Sequence, residues 1–414
     1  MSLRLSRYDY ASFAAFAAYA CCSLVIPVCL VQMGRSLDFP LEAGGMGTGG
    51  SLHIARSVAM VGTLLVCAVV AGFLGKRLTM GVAMLLMGLG VFTCCFAPGA
   101  SFLMPCLVVA GLGEGLCEGI ATPFVNDLHK DAPSTYVNLT HAFWSVGIAV
   151  CTVLVGFLVA VGISWRTMMA LVGLATASTA IGFLWREHPR RRYPEQREKV
   201  LFPEVLRQSS RIVHTPRFWV YCAGMFIGAG AEFGLTFWAA SFIQLNFGAS
   251  AFVGGLGTAA LAAGMFCSRA GFARYLPEKY LPYGLLGSSL AGIPCTLLLL
   301  GLPPAIWGSA VLSMLLLFLI MFCCGFCVGP YWPSLQVYGV RRLPGLDSTL
   351  LYIYFSTMGI PGCGFFAWLM GFAGDYVGLK RSLLIVPSAM ACYALLIFLE
   401  MRHHPPKTKT RCHG

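Results

Sequence analysis

Twelve apolar runs, each about as long as a helix that crosses a bilayer, dominate this sequence. The hydrocarbon core of a membrane is about 30 Å thick, so a crossing helix takes roughly 20 apolar residues. Cut at charges, prolines and glycines, the runs fall at 9–33, 52–74, 79–97, 101–126, 137–162, 166–185, 216–245, 250–273, 281–300, 306–337, 348–373 and 381–400. Lipid offers no hydrogen bonds, so each run must satisfy its own backbone as a helix. The composition agrees: only 11% of the 414 residues are charged, against about 25% in a soluble domain. The expected fold is an all-α membrane protein. Met1 to Asp9 is short and basic, and a long apolar stretch without an A-x-A cleavage site follows it. The first run therefore reads as a retained membrane helix rather than a cleaved leader.

An even number of crossings puts both termini on one side. With the ends placed in the cytoplasm, 22 of the 28 lysines and arginines fall in cytoplasmic segments and five outside, with Arg269 inside the eighth run near its inner end. That is the positive-inside pattern. It accounts for the net charge of +12 without a nucleic-acid partner. The expected location is a bacterial inner membrane, with both termini cytoplasmic. All but one of the 18 cysteines are scattered in apolar runs, and even Cys324-x-x-Cys327 sits in one. They read as small polarisable hydrophobes, not as a disulfide framework.

The longest polar segment, 186–215, contains HPRRRYPEQREK and divides the chain into six-helix halves, 1–185 and 216–400, with a basic tail at 401–414. The halves echo each other. Thr122-Pro123-Phe124 near the end of the fourth run matches Trp332-Pro333-Ser334 in the tenth. Gly147-Ile148 in the fifth matches Gly359-Ile360 in the eleventh, and Gly72-Phe73 matches Gly271-Phe272. Two pseudo-symmetric six-helix bundles around a central site are a transporter arrangement.

Carboxylates in such runs need a purpose, because a buried charge is costly unless paired, protonated or wet. In GEGLCEGIATPFVND, Glu114 and Glu118 are four residues apart and share a helix face. Gly111, Gly115 and Gly119 form a neighbouring ridge that lets another helix come close. Glu118 is the expected proton-coupling acid. Glu114 is its expected modulator, since two nearby carboxylates compete for protons. In VNLTHAFWSVG, Asn138, His141 and Ser145 fall on one stripe with Trp144 beside it. Amides, imidazoles and indoles suit an oxygen-rich solute. Glu232 lies among small residues in the seventh run with Trp238 beyond it. Tyr331 and Trp332 complete the expected solute contacts. His53 and Arg56 open the second run, and the expectation there is a pair snorkelling to the outer interface. The tail histidines His403 and His404 carry no expected function, and no metal or cofactor motif is apparent.

The duplication, the basic loop after the second run and Trp165-Arg166 at the start of the sixth resemble the major facilitator superfamily. Within it, GLGEGLCEGIATPFV and VNLTHAFWSVG are similar to the fucose permease branch of sugar–proton symporters. That branch carries a Glu before Pro-Phe-Val and then Asn-Leu, here Glu118, Pro123-Phe124-Val125 and Asn138-Leu139. The Glu-then-Trp pattern of Glu232 and Trp238 also resembles it. Two features depart. The branch has an acid on the first helix before a proline, where this chain has Ser23 ahead of Pro27. The superfamily's aspartate after the second helix is replaced, in GFLGKRLTMG, by Gly75 and Lys76.

The resemblance implies a proton-coupled importer of a sugar or related small polar solute, acting as a monomer. A proton-driven exporter of drugs or metabolites is the alternative. A membrane-embedded enzyme would need a convergent nucleophile–base or metal set, and a transport-dead sensor would need a signalling domain; neither is apparent.

Overall fold

The computed structural model describes residues 5–129, 133–185, 192–194, 202–306 and 308–403, except the side chains of 133–135, 137, 138, 202, 273, 274 and 278. Twelve helices in it are long and apolar enough to span a membrane. They are α1 (Arg7–Ser36), α2 (Met46–Leu74), α3 (Lys76–Phe96), α4 (Ala100–Leu128), α5 (Pro133–Ala160), α6 (Trp165–Leu184), α7 (Pro216–Phe247), α8 (Ala251–Tyr275), α9 (Leu281–Gly301), α10 (Ala310–Arg342), α11 (Ser348–Val377) and α12 (Leu379–His403). Residues 186–191 and 195–201 of the linker and the tail beyond His403 lie outside the described residues. The described part of the linker includes an amphipathic helix, Phe202–Val213.

Local chemistry explains the helix ends. Ser6 caps α1 in a capping box with Asp9. Ser250 caps α8 and Ser309 caps α10. α10 breaks at Gly329-Pro330, and its last turns, Tyr331–Arg342, form a separate helix. The largest difference at a helix start from the sequence reading is that of α2. α2 starts at Met46, not at residue 52, and takes in the glycines at 47, 49 and 50. Glycine weakens an isolated helix, but here tertiary contact supplies the support. The amides of Met46 and Gly47 donate to Asp375 at the end of α11, at 2.7 and 2.8 Å. A Cβ on Gly50 would fall 2.6 Å from the Ala367 carbonyl oxygen.

α1 to α6 pack on one another, as do α7 to α12. The two sets meet where α2 crosses α11, α5 crosses α8, and α1 meets α7. The closest approaches lie at the end of the helix layer away from the termini. There Gly371 and Gly374 abut Met46, Gly156 abuts Ala251, and Gly255 abuts Thr152. At the end that bears the termini, polar ties form within each set. Asp9 bonds His129 at 2.6 Å, and Lys76 bonds Asp127 at 2.8 Å. Glu400 gathers Arg217, Tyr221 and Tyr338. Deep in the layer on that side, His141 is exposed and Glu118 and Thr122 are half-buried. The two sets therefore converge at the far end and diverge toward the terminal end, leaving a vestibule between them.

Candidate functional site

Helix α4 builds the first wall. The expected glycine ridge docks on α2. A Cβ on Gly111 would run into the carbonyl oxygen of Arg56, and one on Gly115 into that of Met60. This contact brings the Arg56 side chain beside Glu114, the midpoint of α4. Arg56 grips both Glu114 oxygens, with Nε to Oε2 at 2.5 Å. It also donates to the Cys22 carbonyl at 2.9 Å and the Ser23 hydroxyl at 3.1 Å. The two side chains are 3% and 2% exposed. A cavity of about 10 Å³, bounded in part by Ser23, His53, Arg56 and Phe237, adjoins the pair; that is room for one water.

Two expectations change here. Arg56 does not snorkel: α2 begins well before the point the sequence suggested, so Arg56 is carried inward, where only a carboxylate can compensate it. Glu114 is accordingly a structural counter-ion rather than a free neighbour of Glu118. His53 is half-buried. Its ring stacks on Phe233 of α7 at 4.2 Å.

One turn along α4 from Glu114, Glu118 has no hydrogen-bond or ion-pair partner among the described residues and is only half-buried. Tyr19 of α1 is within its electrostatic range and meets Trp144 of α5 edge-on, centroids 4.4 Å apart. One turn further, Thr122 contacts His141 Nε2 at 3.3 Å. The stripe Glu114–Glu118–Thr122 thus runs from the sealed charge pair to the accessible vestibule. The side chain of Asn138 lies outside the described residues.

The second wall is Glu232, at the midpoint of α7. Arg269 of α8 donates to Glu232 Oε1 at 2.6 Å and to the Gly329 carbonyl at 2.8 Å. Arg269 is within electrostatic range of His141 across the vestibule and 27% exposed. The sequence reading missed this partner. Its signal was a basic residue more than a turn inside an apolar run, which demands an acid nearby.

Two expected solute contacts point elsewhere. Trp238 is fully buried, and its indole N–H donates to the Ala367 carbonyl at 2.9 Å, so it fills the α7–α11 seam. Tyr331 is 1% exposed and stacks on Tyr393 of α12 at 4.6 Å. Large aromatics beside glycine-rich helices serve as packing when a facing backbone approaches closely; here Gly371 and Gly228 provide that approach. Trp332 is partly accessible and packs on Gly359. Among the described residues no cluster of three or more potential metal ligands occurs.

A membrane-embedded helical protein with two six-helix sets, a vestibule between them and polar groups at mid-depth is a solute transporter by architecture. The chain belongs to the Major Facilitator Superfamily, whose family model matches residues 11–362. Solved transporters share the fold. A D-xylose–proton symporter matches with a TM-score of 0.74 at 12% identity, covering 95% of this chain and 97% of that one. A bacterial homologue of the human lysosomal transporter Spinster, in an inward-facing and occupied conformation, gives 0.72 at 16% identity, covering 97% and 98%. The nucleoside transporter NupG gives 0.69 at 14% identity, covering 97% and 99%. No curated protein matches the sequence. The family makes the chain a multi-pass membrane transporter and not an enzyme.

Proposed function

We propose that this protein imports a sugar or related small polar solute together with protons, by alternating access of two six-helix units, 1–185 and 216–400, across a bacterial inner membrane. The unit of function is a monomer. The charge bias places the termini in the cytoplasm. The far-end closure is then the outer gate, and the vestibule opens inward.

The observation that carries the reading is Glu118, a mid-depth carboxylate without a polar partner among the described residues, on an accessible wall. The two arginines that could neutralise it are committed to Glu114 and Glu232. Such an acid can exchange a proton with whichever side the vestibule faces. His141, Thr122 and Trp144 stand close enough along the same wall to meet a hydroxylated solute, and Glu232 with Arg269 faces them. The xylose and nucleoside transporters of the same fold favour a neutral, oxygen-rich solute.

Glu118→Gln is the test. A neutral amide imitates the protonated acid, so the variant should still exchange solute at equilibrium in proteoliposomes but should not concentrate it on a proton gradient. Normal concentrative uptake would refute the assignment. A proton-driven exporter is the second reading, favoured by Glu118 being a lone acid beside the aromatic corner of Tyr19 and Trp144. The same liposomes decide it, since an exporter moves solute against the imposed proton flow.

A further inference from the structure

Two lysine or arginine side chains among the described residues sit more than one turn inside a spanning helix, Arg56 and Arg269. Arg56 is sealed from the vestibule by burial and by Glu114. Arg269 is not sealed: its side chain is 27% exposed and lies within electrostatic range of His141 on the opposite wall. What keeps it from acting as a free cation in the vestibule is one carboxylate. Glu232 takes a guanidinium N–H at 2.6 Å through Oε1, while Gly329 takes the Nε–H. Glu232 Oε2 is buried and has no hydrogen-bond partner. The carboxylate is therefore held at a cost that a merely convenient packing residue would avoid.

The charges then sum simply. Arg56 with Glu114 is neutral, and Arg269 with Glu232 is neutral. Glu118 contributes −1 when ionised and zero when protonated. No protonation state of Glu118 leaves a net positive charge on these groups. An anionic solute would have to be desolvated against a neutral or negative wall, at a cost of several kcal/mol without a paired cation.

We infer that Glu232 is a specificity-determining residue: by neutralising Arg269 it makes the site reject anions and select an uncharged solute. The residue acts as a counter-charge rather than as a hydrogen-bonding hand for the solute. A carboxylate-bearing relative of the true solute, such as a sugar acid, is excluded as long as Glu232 neutralises Arg269. Removing that charge leaves Arg269 as an uncompensated cation, already positioned and accessible, and makes the pocket net positive whenever Glu118 is protonated. This inference rests on the transport reading above, but its test does not depend on knowing the solute.

The experiment uses the purified full-length protein and two charged probes, D-glucuronate and protonated D-glucosamine, with D-glucose as the neutral control and sodium chloride at matched ionic strength. Binding is read as a saturable rise in melting temperature. Wild type should show no saturable response to glucuronate. Glu232→Gln should gain one, half-saturating at least about tenfold below the highest glucuronate concentration at which wild type gives no response, the usual scale of one charge-assisted hydrogen bond. The gain should vanish in Glu232→Gln/Arg269→Gln, and Glu232→Asp should behave as wild type. Arg269→Gln supplies the mirror arm: with Glu232 unpaired, it should gain glucosamine and not glucuronate. A wild type that binds glucuronate saturably would overturn the inference. So would a monodisperse Glu232→Gln that gains nothing. If Glu232→Gln does not fold, the wild-type response and the Arg269→Gln arm still decide. Failure of D-glucose, and of a wider panel of neutral sugars and nucleosides run in the same assay, to bind wild type would count against the proposed function, and would leave these charge-swap outcomes to stand on their own.

Discussion

Replacing Glu114 by glutamine should destabilise the protein more than replacing its partner Arg56 by methionine. The two side chains are nearly inaccessible, and the pair is bidentate, with one arm at 2.5 Å. Glutamine keeps the shape of Glu114 and one acceptor oxygen, so the change removes charge rather than packing. Arg56 then stays ionised, because a guanidinium does not give up its proton in a protein. Only neutral acceptors then remain to compensate it: the glutamine oxygen, the Cys22 carbonyl and the Ser23 hydroxyl. Breaking a buried pair in this way costs about 3–5 kcal/mol. In Arg56→Met, by contrast, the stranded Glu114 can take up a proton and become neutral. The remaining cost is that of a buried polar group short of partners, about 1–3 kcal/mol. The double variant Arg56→Met/Glu114→Leu removes both charges and fills the space with apolar atoms. It should return to within about 1 kcal/mol of wild type, as buried pairs replaced by hydrophobes often do. The assay is equilibrium unfolding in detergent, followed by tryptophan fluorescence, for all four proteins in one denaturant series. A Glu114→Gln variant within about 0.5 kcal/mol of wild type would refute the pairing argument. So would a double variant as unstable as the worse single one, because the cost would then be packing and not charge.

Asp375→Asn should loosen the far-end closure, since the carboxylate that caps the α2 N-terminus from the other half is worth about 0.5–2 kcal/mol in such positions. A cysteine introduced at the vestibule wall should react several-fold faster with an impermeant thiol reagent added outside, and an unchanged rate would deny the cap a role in gating. Trp238→Phe should leave solute affinity unchanged while lowering the melting temperature, because the indole bonds Ala367 in the α7–α11 seam. A loss of affinity with unaltered stability would return Trp238 to the solute site.

Length and apolarity of the runs made the number of spans legible, because lipid leaves a backbone no other way to satisfy its hydrogen bonds. The location of the acids was legible for the same reason: a charge in an apolar run stands out whatever surrounds it. The glycine ridge on α4 also read correctly as a docking surface, since the absence of a side chain is itself the steric signal. What that ridge docks against was not local information. Whether Arg56 snorkels or is sealed depends on where α2 begins, and α2 begins early because Asp375, 328 residues along the chain from Gly47, caps it. Trp238 and Trp144 carry the same side chain in similar apolar surroundings, yet one fills a seam and the other borders the vestibule. Only the helix packed opposite each decides which. Arg269 was visible as a charge in the eighth run, but its partner on the seventh was not. Helical spacing fixes which residues of one helix share a face, and leaves open which face of a second helix will meet it.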